Sequence, residues 1–380
     1  MTEKIYYKDS YISEFSARVL SVSSVDDRFE VVLDKTAFFP EEGGQSSDVG
    51  YIGSSRVVYV YEKNGVIYHI VDNAPEQDEV FCRIDFLDRF DKMQQHTAEH
   101  ILSGVIHKLY GYDNVGFHLG DDVVTFDIDH PLTREQLDEI ENLANEAVFK
   151  NIKIKTYFPT ADELKNETYR SKLDLTENVR LVKIGDVDSC ACCAPHVKYT
   201  GEVGIIKCLD FMHHRGGVRI TMCAGKRALF DYREKYRNIR EISALLCEPQ
   251  HTTAEALGRY ASDKERLKLE LKNARRAYAE LLADTVSSDG NAVIVINHVE
   301  MDELRDFANK AVNNVSGILV ALMGVDDNYK YIMASRSLDL RQMSKDINSK
   351  LSGRGGGHPQ MIQGSLFTSL NAIKEYFNCK

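Results

Sequence analysis

Two pairs of metal-binding side chains stand far apart in the sequence, each pair separated by four residues: His96 with His100, and Cys192 with His196. The first pair lies in DRFDKMQQHTAEHILSGVIHKLYG, where Phe90, Met93, Ala98, Ile101, Leu102, Val105 and Leu109 recur at helical spacing and Gly111 offers a stop. That spacing sets both imidazoles on one helix face, about one turn apart. By itself an HxxxH also describes ordinary surface histidines. The second pair lies in SCACCAPH, residues 189–196, at the end of a predicted strand and before a turn that Pro195 tightens. Three imidazoles and one thiolate make a set suited to tetrahedral Zn2+. Buried or redox-active cysteines are the competing reading, and Cys190 and Cys193 compete with Cys192 for the thiolate position.

The helix is not of the HExxH kind, because Thr97 follows the first histidine. Glu99 stands beside the second, on a neighbouring face, where it could orient water, meet a substrate amine, or simply be solvated. Near the other end of the chain, Gly355, Gly356 and Gly357 form a glycine-rich loop whose amides could cradle a phosphate, flanked by Arg354 and His358. A structural glycine turn is the alternative.

The elements that must position these groups fall into four stretches. Residues 1–87 read mostly as short strands, with a hairpin signal at Lys63-Asn64-Gly65 inside VVYVYEKNGVIYHIV. A small β-barrel or sandwich would accommodate them. Residues 88–232 read as an α+β unit, with a second helix from Thr133 to Lys150 opened by a Thr133–Gln136 capping box. Residues 233–289 are helical and charged; Pro249 interrupts them, and Tyr260, Leu267, Leu271, Ala274, Tyr278 and Leu281 form a narrow apolar stripe. A helical hairpin and a dimerising coiled coil both fit that arm. Residues 290–380 alternate strands and helices as a compact α/β domain. The expected fold class is α+β and multidomain: N-terminal barrel, zinc-containing domain, helical arm, C-terminal α/β domain.

Composition bounds the function. The 380 residues are 43% hydrophobic and 28% charged, an ordinary globular balance. The N-terminus lacks the apolar run of a signal peptide, and no 18-residue apolar stretch occurs, so a cytoplasmic, non-membrane protein is the default expectation. Eight cysteines are too few, and too clustered at 190–193, for a disulfide framework. The net charge of −11 does not favour a polyanionic partner, yet a polyanion responds to the local field, and basic residues gather between Arg259 and Arg276.

These motifs together resemble the editing module of alanyl-tRNA synthetase and its free-standing relatives, the AlaX family. MQQHTAEHIL (93–102) is similar to the family's first zinc segment, and CCAPH (192–196) stands in place of its CGGTH, which carries His96, His100, Cys192 and His196 into the ligand roles. TAFFPEEGGQSSDVG (36–50), TGEVG (200–204) and Gly-Val-Arg-Ile (217–220) also follow the family pattern, and GRGGGHPQMIQGSL (353–366) resembles the signature of the DHHA1 domain. The resemblance spans nearly the whole chain and matches a long, free-standing editing protein. It departs in Cys193, Ala194 and Pro195, which replace two glycines and a threonine, and in VGFHLG (115–120), where Phe117 and His118 stand at the aminoacyl pocket.

The resemblance implies a Zn2+-dependent hydrolase acting on seryl or glycyl esters of tRNA(Ala), without choosing between the two. Glu99 and His118 are then candidate catalytic groups; Gly43, Gly44, Gln45 and Phe117 candidate substrate contacts; Arg354, Gly355, Gly356, Gly357 and His358 candidate contacts to the tRNA body. A homodimer through the arm or the C-terminal domain is a candidate assembly. A tRNA-binding module whose zinc is only structural, and a small-molecule metal-dependent esterase, are the competing functions.

Overall fold

The computed structural model describes residues 1–171 and 179–379. Asn178, which opens the expected strand NVRLVKI, lies outside them. The chain divides into two compact units, Met1–Ile239 and Arg240–Lys380.

The first unit opens with strands β1 (Glu3–Lys4), β2 (Glu14–Val25), β3 (Arg28–Leu33), β4 (Lys35–Thr36), β5 (Gly50–Ile52), β6 (Ser55–Lys63), β7 (Val66–Val71) and β8 (Glu79–Ile84). Six of them pair in the cyclic order β2-β3-β7-β6-β5-β8. The twelve-residue β2 makes this possible: Glu14–Arg18 pairs with β8, Val19–Val25 with β3, and a register shift between Val19 and Ser21 bends the strand between its partners. Alternation fills the interior, with Ile67, His69 and Val71 on β7 and Val80, Cys82 and Ile84 on β8 all buried. The hairpin at Asn64-Gly65 forms as the sequence signals, with φ of 52° and 74°, both in the left-handed region a two-residue turn requires.

Helix α1 (Phe86–Tyr110) follows and ends at Gly111, whose φ of 70° makes the left-handed cap. Strands β9 (Asn114–Leu119) and β10 (Val124–Ile128), helix α2 (Arg134–Phe149) and strand β11 (Ile154–Tyr157) come next. The short α3 (Ala161–Asn166), strands β12 (Leu181–Ile184), β13 (Asp188–Ala191), β14 (Ile206–His214) and β15 (Gly217–Ala224), and α4 (Gly225–Leu246) complete the series. They make a four-stranded sheet, β14-β15-β10-β9, and a three-stranded sheet, β11-β12-β13. The Thr133–Gln136 capping box opens α2, with bonds of 3.3 and 2.8 Å.

The expected architecture needs correction here. The N-terminal strands are not a small barrel standing as its own domain. They share one compact unit with everything up to Ile239, and β1 and β4 form a separate parallel pair outside the six-stranded ring. Packing explains the fusion. Ala194, from the second ligand segment, belongs to the strands' own hydrophobic core, and Cys192 packs against that core and the neighbouring one alike. Arg89 of α1 is fully buried and bonds Asp48 through Nε at 2.8 Å and the carbonyls of Ala37 and Ser10 at 2.6 and 3.1 Å. An ion pair without water is tolerable only when its remaining donors are satisfied this way.

The second unit holds α5 (Thr253–Thr285), β16 (Ala292–Val295), α6 (Met301–Ala311), β17 (Ile318–Val325), β18 (Asn328–Ser335), α7 (Leu340–Lys350), β19 (Gly353–His358), β20 (Met361–Leu366) and α8 (Leu370–Tyr376). Its sheet runs β16-β17-β18-β20-β19, parallel only between β16 and β17. The expected glycine-rich loop is corrected as well: Arg354, Gly355, Gly356, Gly357 and His358 lie on the edge strand β19, paired in register with β20. Glycine is needed there for room, since a Cβ on Gly355 would stand 2.2 Å from the Tyr331 hydroxyl. Along α5, Leu267, Leu271, Tyr278 and Leu281 are exposed.

Two outcomes are expected. His69 is buried, bonded to Thr36 at 2.8 Å and the Val31 carbonyl at 3.0 Å, and burial pushes its pKa down to about 4. Its neutral form is therefore favoured in the folded state, so its contribution is complete above the unfolded value near 6.5 and is lost as pH falls toward 4. Denaturant titration from pH 7 to pH 5 should show His69→Gln losing about 2 kcal/mol less than the parent. Gly104 has a different constraint: a Cβ there would stand 2.5 Å from the Val187 carbonyl oxygen and 2.6 Å from the Asp188 Cβ. Gly104→Ala should lower thermal stability by about 1–3 kcal/mol; an unchanged melting temperature would show that α1 and β13 are not pressed together.

Candidate metal centre

Helix α1 crosses beneath β13 and the segment that follows it, and both ligand pairs meet there. The donor atoms of His96, His100, Cys192 and His196 all lie within 4.8 Å of one another. His96 Nε2 is 3.6 Å and His196 Nε2 3.4 Å from Cys192 Sγ. Zinc bonds of about 2.0–2.1 Å to nitrogen and 2.3 Å to sulfur at tetrahedral angles put N and S about 3.5 Å apart, so the spacing fits.

The other side of each imidazole is also determined. His96 Nδ1 donates to Gln45 Oε1 at 2.9 Å and His100 Nδ1 to Asp188 Oδ2 at 3.1 Å, and His196 Nδ1 shares a hydrogen bond of 3.0 Å with Thr97 Oγ1. Carrying its proton on Nδ1, the ring of His96 or His100 turns a lone pair on Nε2 inward, the tautomer a metal site requires, and His196 likewise has Nε2 facing the cluster. Asp188 is itself held by Arg170, with bonds of 2.8 and 3.0 Å. Arg180 donates to the carbonyls of Cys192 and Ala194 at 2.9 and 2.8 Å, fixing the backbone that carries the thiolate.

Electrostatics separate the three candidate cysteines. Burial opposes ionisation of Cys192, but the three imidazoles gathered around its sulfur outweigh it and hold the thiol well below its ordinary range. Burial pushes Cys190 up to about 11 and raises Cys193 further. Burial also drives His196 down to about 3, so it presents a neutral nitrogen. Cys190 groups instead with His100 and Asp188. That second cluster lies where Arg170 already compensates the carboxylate.

A cavity of about 520 Å³ opens onto three of the ligands, His96, His100 and Cys192, with His196 buried behind them. Glu99 lines it and is buried, not solvated, with its carboxylate accepting from Ser103 Oγ and Asn114 Nδ2. Phe117 also lines it, its ring centroid 4.6 Å from that of His96. His118, on the alternate face of β9, is exposed and is not among the lining residues. Gly43 and Gly44 form a tight turn between Glu42 and Gln45, with φ of 62° and 79°. Gly43 lines the cavity, whereas Gly44 fits against Phe117, whose carbonyl oxygen a Cβ would approach to 2.8 Å. Gln45 is buried and serves His96. The β19 residues belong to the second unit. Sequence reasoning missed Asp188, Arg170, Arg180 and Asn114; Thr97, one position after a ligand on the helix, was the one with a local signal.

An α+β module with three histidines and a cysteine around one point defines a zinc-binding class of domain, and the chain is similar to known proteins over nearly its whole length. Residues 179–225 match the threonyl and alanyl tRNA synthetase second additional domain, residues 3–86 the class II (A) tRNA synthetases, and residues 289–377 the DHHA1 domain. Over 387 residues the chain is 31% identical to the alanyl-tRNA editing protein AlaX-L of Pyrococcus horikoshii, covering 96% of this chain and 95% of that one. It is 30% identical to the alanine–tRNA ligase of Methanobrevibacter smithii and 32% to that of Halorubrum lacusprofundi, spanning 44% and 42% of their lengths. The chain belongs to the AlaX-L family of alanyl-tRNA editing proteins.

Asp188→Asn keeps an acceptor for His100 but leaves Arg170 without its counter-charge. Competition with a fluorescent chelator should show zinc held about 10- to 100-fold more weakly. An affinity equal to the parent's would mean that Asp188 does not support the ligand.

Proposed function

We propose that this chain is a trans-editing hydrolase that deacylates tRNA(Ala) mischarged with serine or glycine. The observation that carries this reading is the convergence of the four ligands, three of them at the wall of a cavity large enough for an aminoacyl group. The family relationship over the full length supports it. We assign the chemistry to residues 88–232 and contact with the tRNA body to 290–380, where Arg354 and His358 flank the three glycines of the edge strand.

Zinc held by His96, His100, Cys192 and His196 supplies Lewis acidity beside the ester and a grip on the substrate's polar groups. The chain's own residues do the rest. Glu99, steadied by Ser103 and Asn114, presents a carboxylate to the cavity that can accept from the substrate's ammonium group or from the attacking water. The turn at Gly43 brings backbone close to the same space, where an amide can meet the developing oxyanion. Phe117 narrows the pocket beside His96. A site that hydrogen-bonds a hydroxyl, or that has room only for hydrogen, discriminates against alanine's methyl group. Eight unpaired cysteines support a reducing, cytoplasmic setting, and the exposed leucines of α5 support homodimerisation through the arm. Among the described residues no helix is long and apolar enough to cross a membrane.

Incubation with seryl-, glycyl- and alanyl-tRNA(Ala) tests the reading. Serine or glycine should be released and alanine spared, and His96→Ala or a chelator should slow release at least about 100-fold, with circular dichroism confirming that the protein stays folded. Tight binding without release would favour a non-catalytic tRNA-binding module, and cleavage of free small esters alone would favour a small-molecule esterase.

A further inference from the structure

The cavity has a wall that the chemistry above does not use. Tyr7 and Phe158 line it together with the metal ligands, their rings edge to face at 5.3 Å and 73°. One belongs to the chain's first turn and the other follows β11, so the notch they form is assembled from distant segments. The Tyr7 ring already has the Arg180 guanidinium 5.3 Å from its centroid and Lys4 Nζ at 5.7 Å. Phe158 is different: half of its surface, 50%, is exposed at the edge of the cavity. Lys4 is held by both oxygens of Glu62, at 2.7 and 2.8 Å, so its charge is largely compensated. What this wall offers is a flat apolar face with a cation-backed ring at right angles to it.

We propose that the Tyr7–Phe158 notch is the seat of the substrate's terminal nucleobase, with the adenine stacked on Phe158 while the ester lies beside His96 and Cys192. This rests on the deacylase reading for the identity of the carrier, since an aminoacyl ester on tRNA is joined to a terminal adenosine. The physical reason is general: a base has an apolar π-face to bury, and a protein that must hold any one nucleotide end without reading a duplex does so by stacking. Because Arg180 also fixes the carbonyls of Cys192 and Ala194, the notch and the thiolate-bearing backbone share one support. Seating the base would therefore place the ester relative to the ligands.

The chain contains no tryptophan, so Phe158→Trp gives a single fluorescent reporter at the notch. Adenosine 5′-monophosphate should quench it saturably, and ribose 5-phosphate, which has no base, should not. Phe158→Ala, a change at a half-exposed side chain, should raise KM for seryl-tRNA(Ala) roughly tenfold or more with a much smaller effect on kcat. No response to the nucleotide, an equal response to ribose 5-phosphate, or a loss confined to kcat would overturn the assignment. The two readings fail separately. Zinc-dependent deacylation with a silent reporter removes the notch alone, and a responsive reporter without deacylation of any aminoacyl-tRNA removes the hydrolase alone.

Discussion

Everything at the metal centre depends on the three Nδ1 hydrogen bonds. An unsupported histidine presents either nitrogen to a metal and swings between rotamers; here each ring is held by a different partner, the amide of Gln45, the carboxylate of Asp188 and the hydroxyl of Thr97. Each bond selects the tautomer and stops the ring's rotation, so the ordering cost of the site is met during folding and not at metal binding. The partners come from three places: the turn after β4, strand β13 and α1 itself. Nearly all of the first unit must be in place before the site exists.

That dependence explains the buried charges. Asp48, Arg89, Arg170, Arg180 and Asp188 are expensive to desolvate, and replacing such pairs by apolar side chains is often harmless to stability. They are intelligible as positioning devices. Arg89 ties the loop carrying Gln45 to the helix carrying His96, Arg170 orients the carboxylate behind His100, and Arg180 holds the carbonyls around Cys192. Gly104 has the complementary role, removing the side chain that would keep β13, and Asp188 with it, away from the helix.

The four-residue spacings were legible because a helix and a strand-to-turn segment each present neighbours locally. The hairpin at Asn64-Gly65 and the cap at Thr133 were legible for the same reason. The supports of the ligands were not: Gln45 lies 51 residues from His96, and Asp188 lies 88 from His100. No local pattern marks such pairs. The burial of Glu99 was not legible because a helix glutamate is normally solvated, whereas α1 is buried on most of its faces. His118 misled through strand alternation, one position from Phe117 but on the opposite face. The glycines of 355–357 read as a loop because glycine has poor strand propensity; in β19 Gly355 and Gly357 let Tyr331 and the backbone of β20 approach, while Gly356 faces open space.

Cys193 at the cavity wall, followed by Ala194 and Pro195 behind it, is where the resemblance and the individual chain part company. Glycines at those positions would leave the peptide free to shift. In this chain Ala194 is wholly buried in the core of the N-terminal strands and its carbonyl accepts from Arg180, so the segment is anchored by packing on one side and by a charge-assisted bond on the other. Cys193 faces Gly43, its Sγ 3.4 Å from where a Cβ on that glycine would stand. The wall therefore gains bulk exactly opposite the turn that must remain glycine. Shape at this edge of the pocket is set jointly by Cys193 and Gly43, whose left-handed backbone disfavours any side chain there.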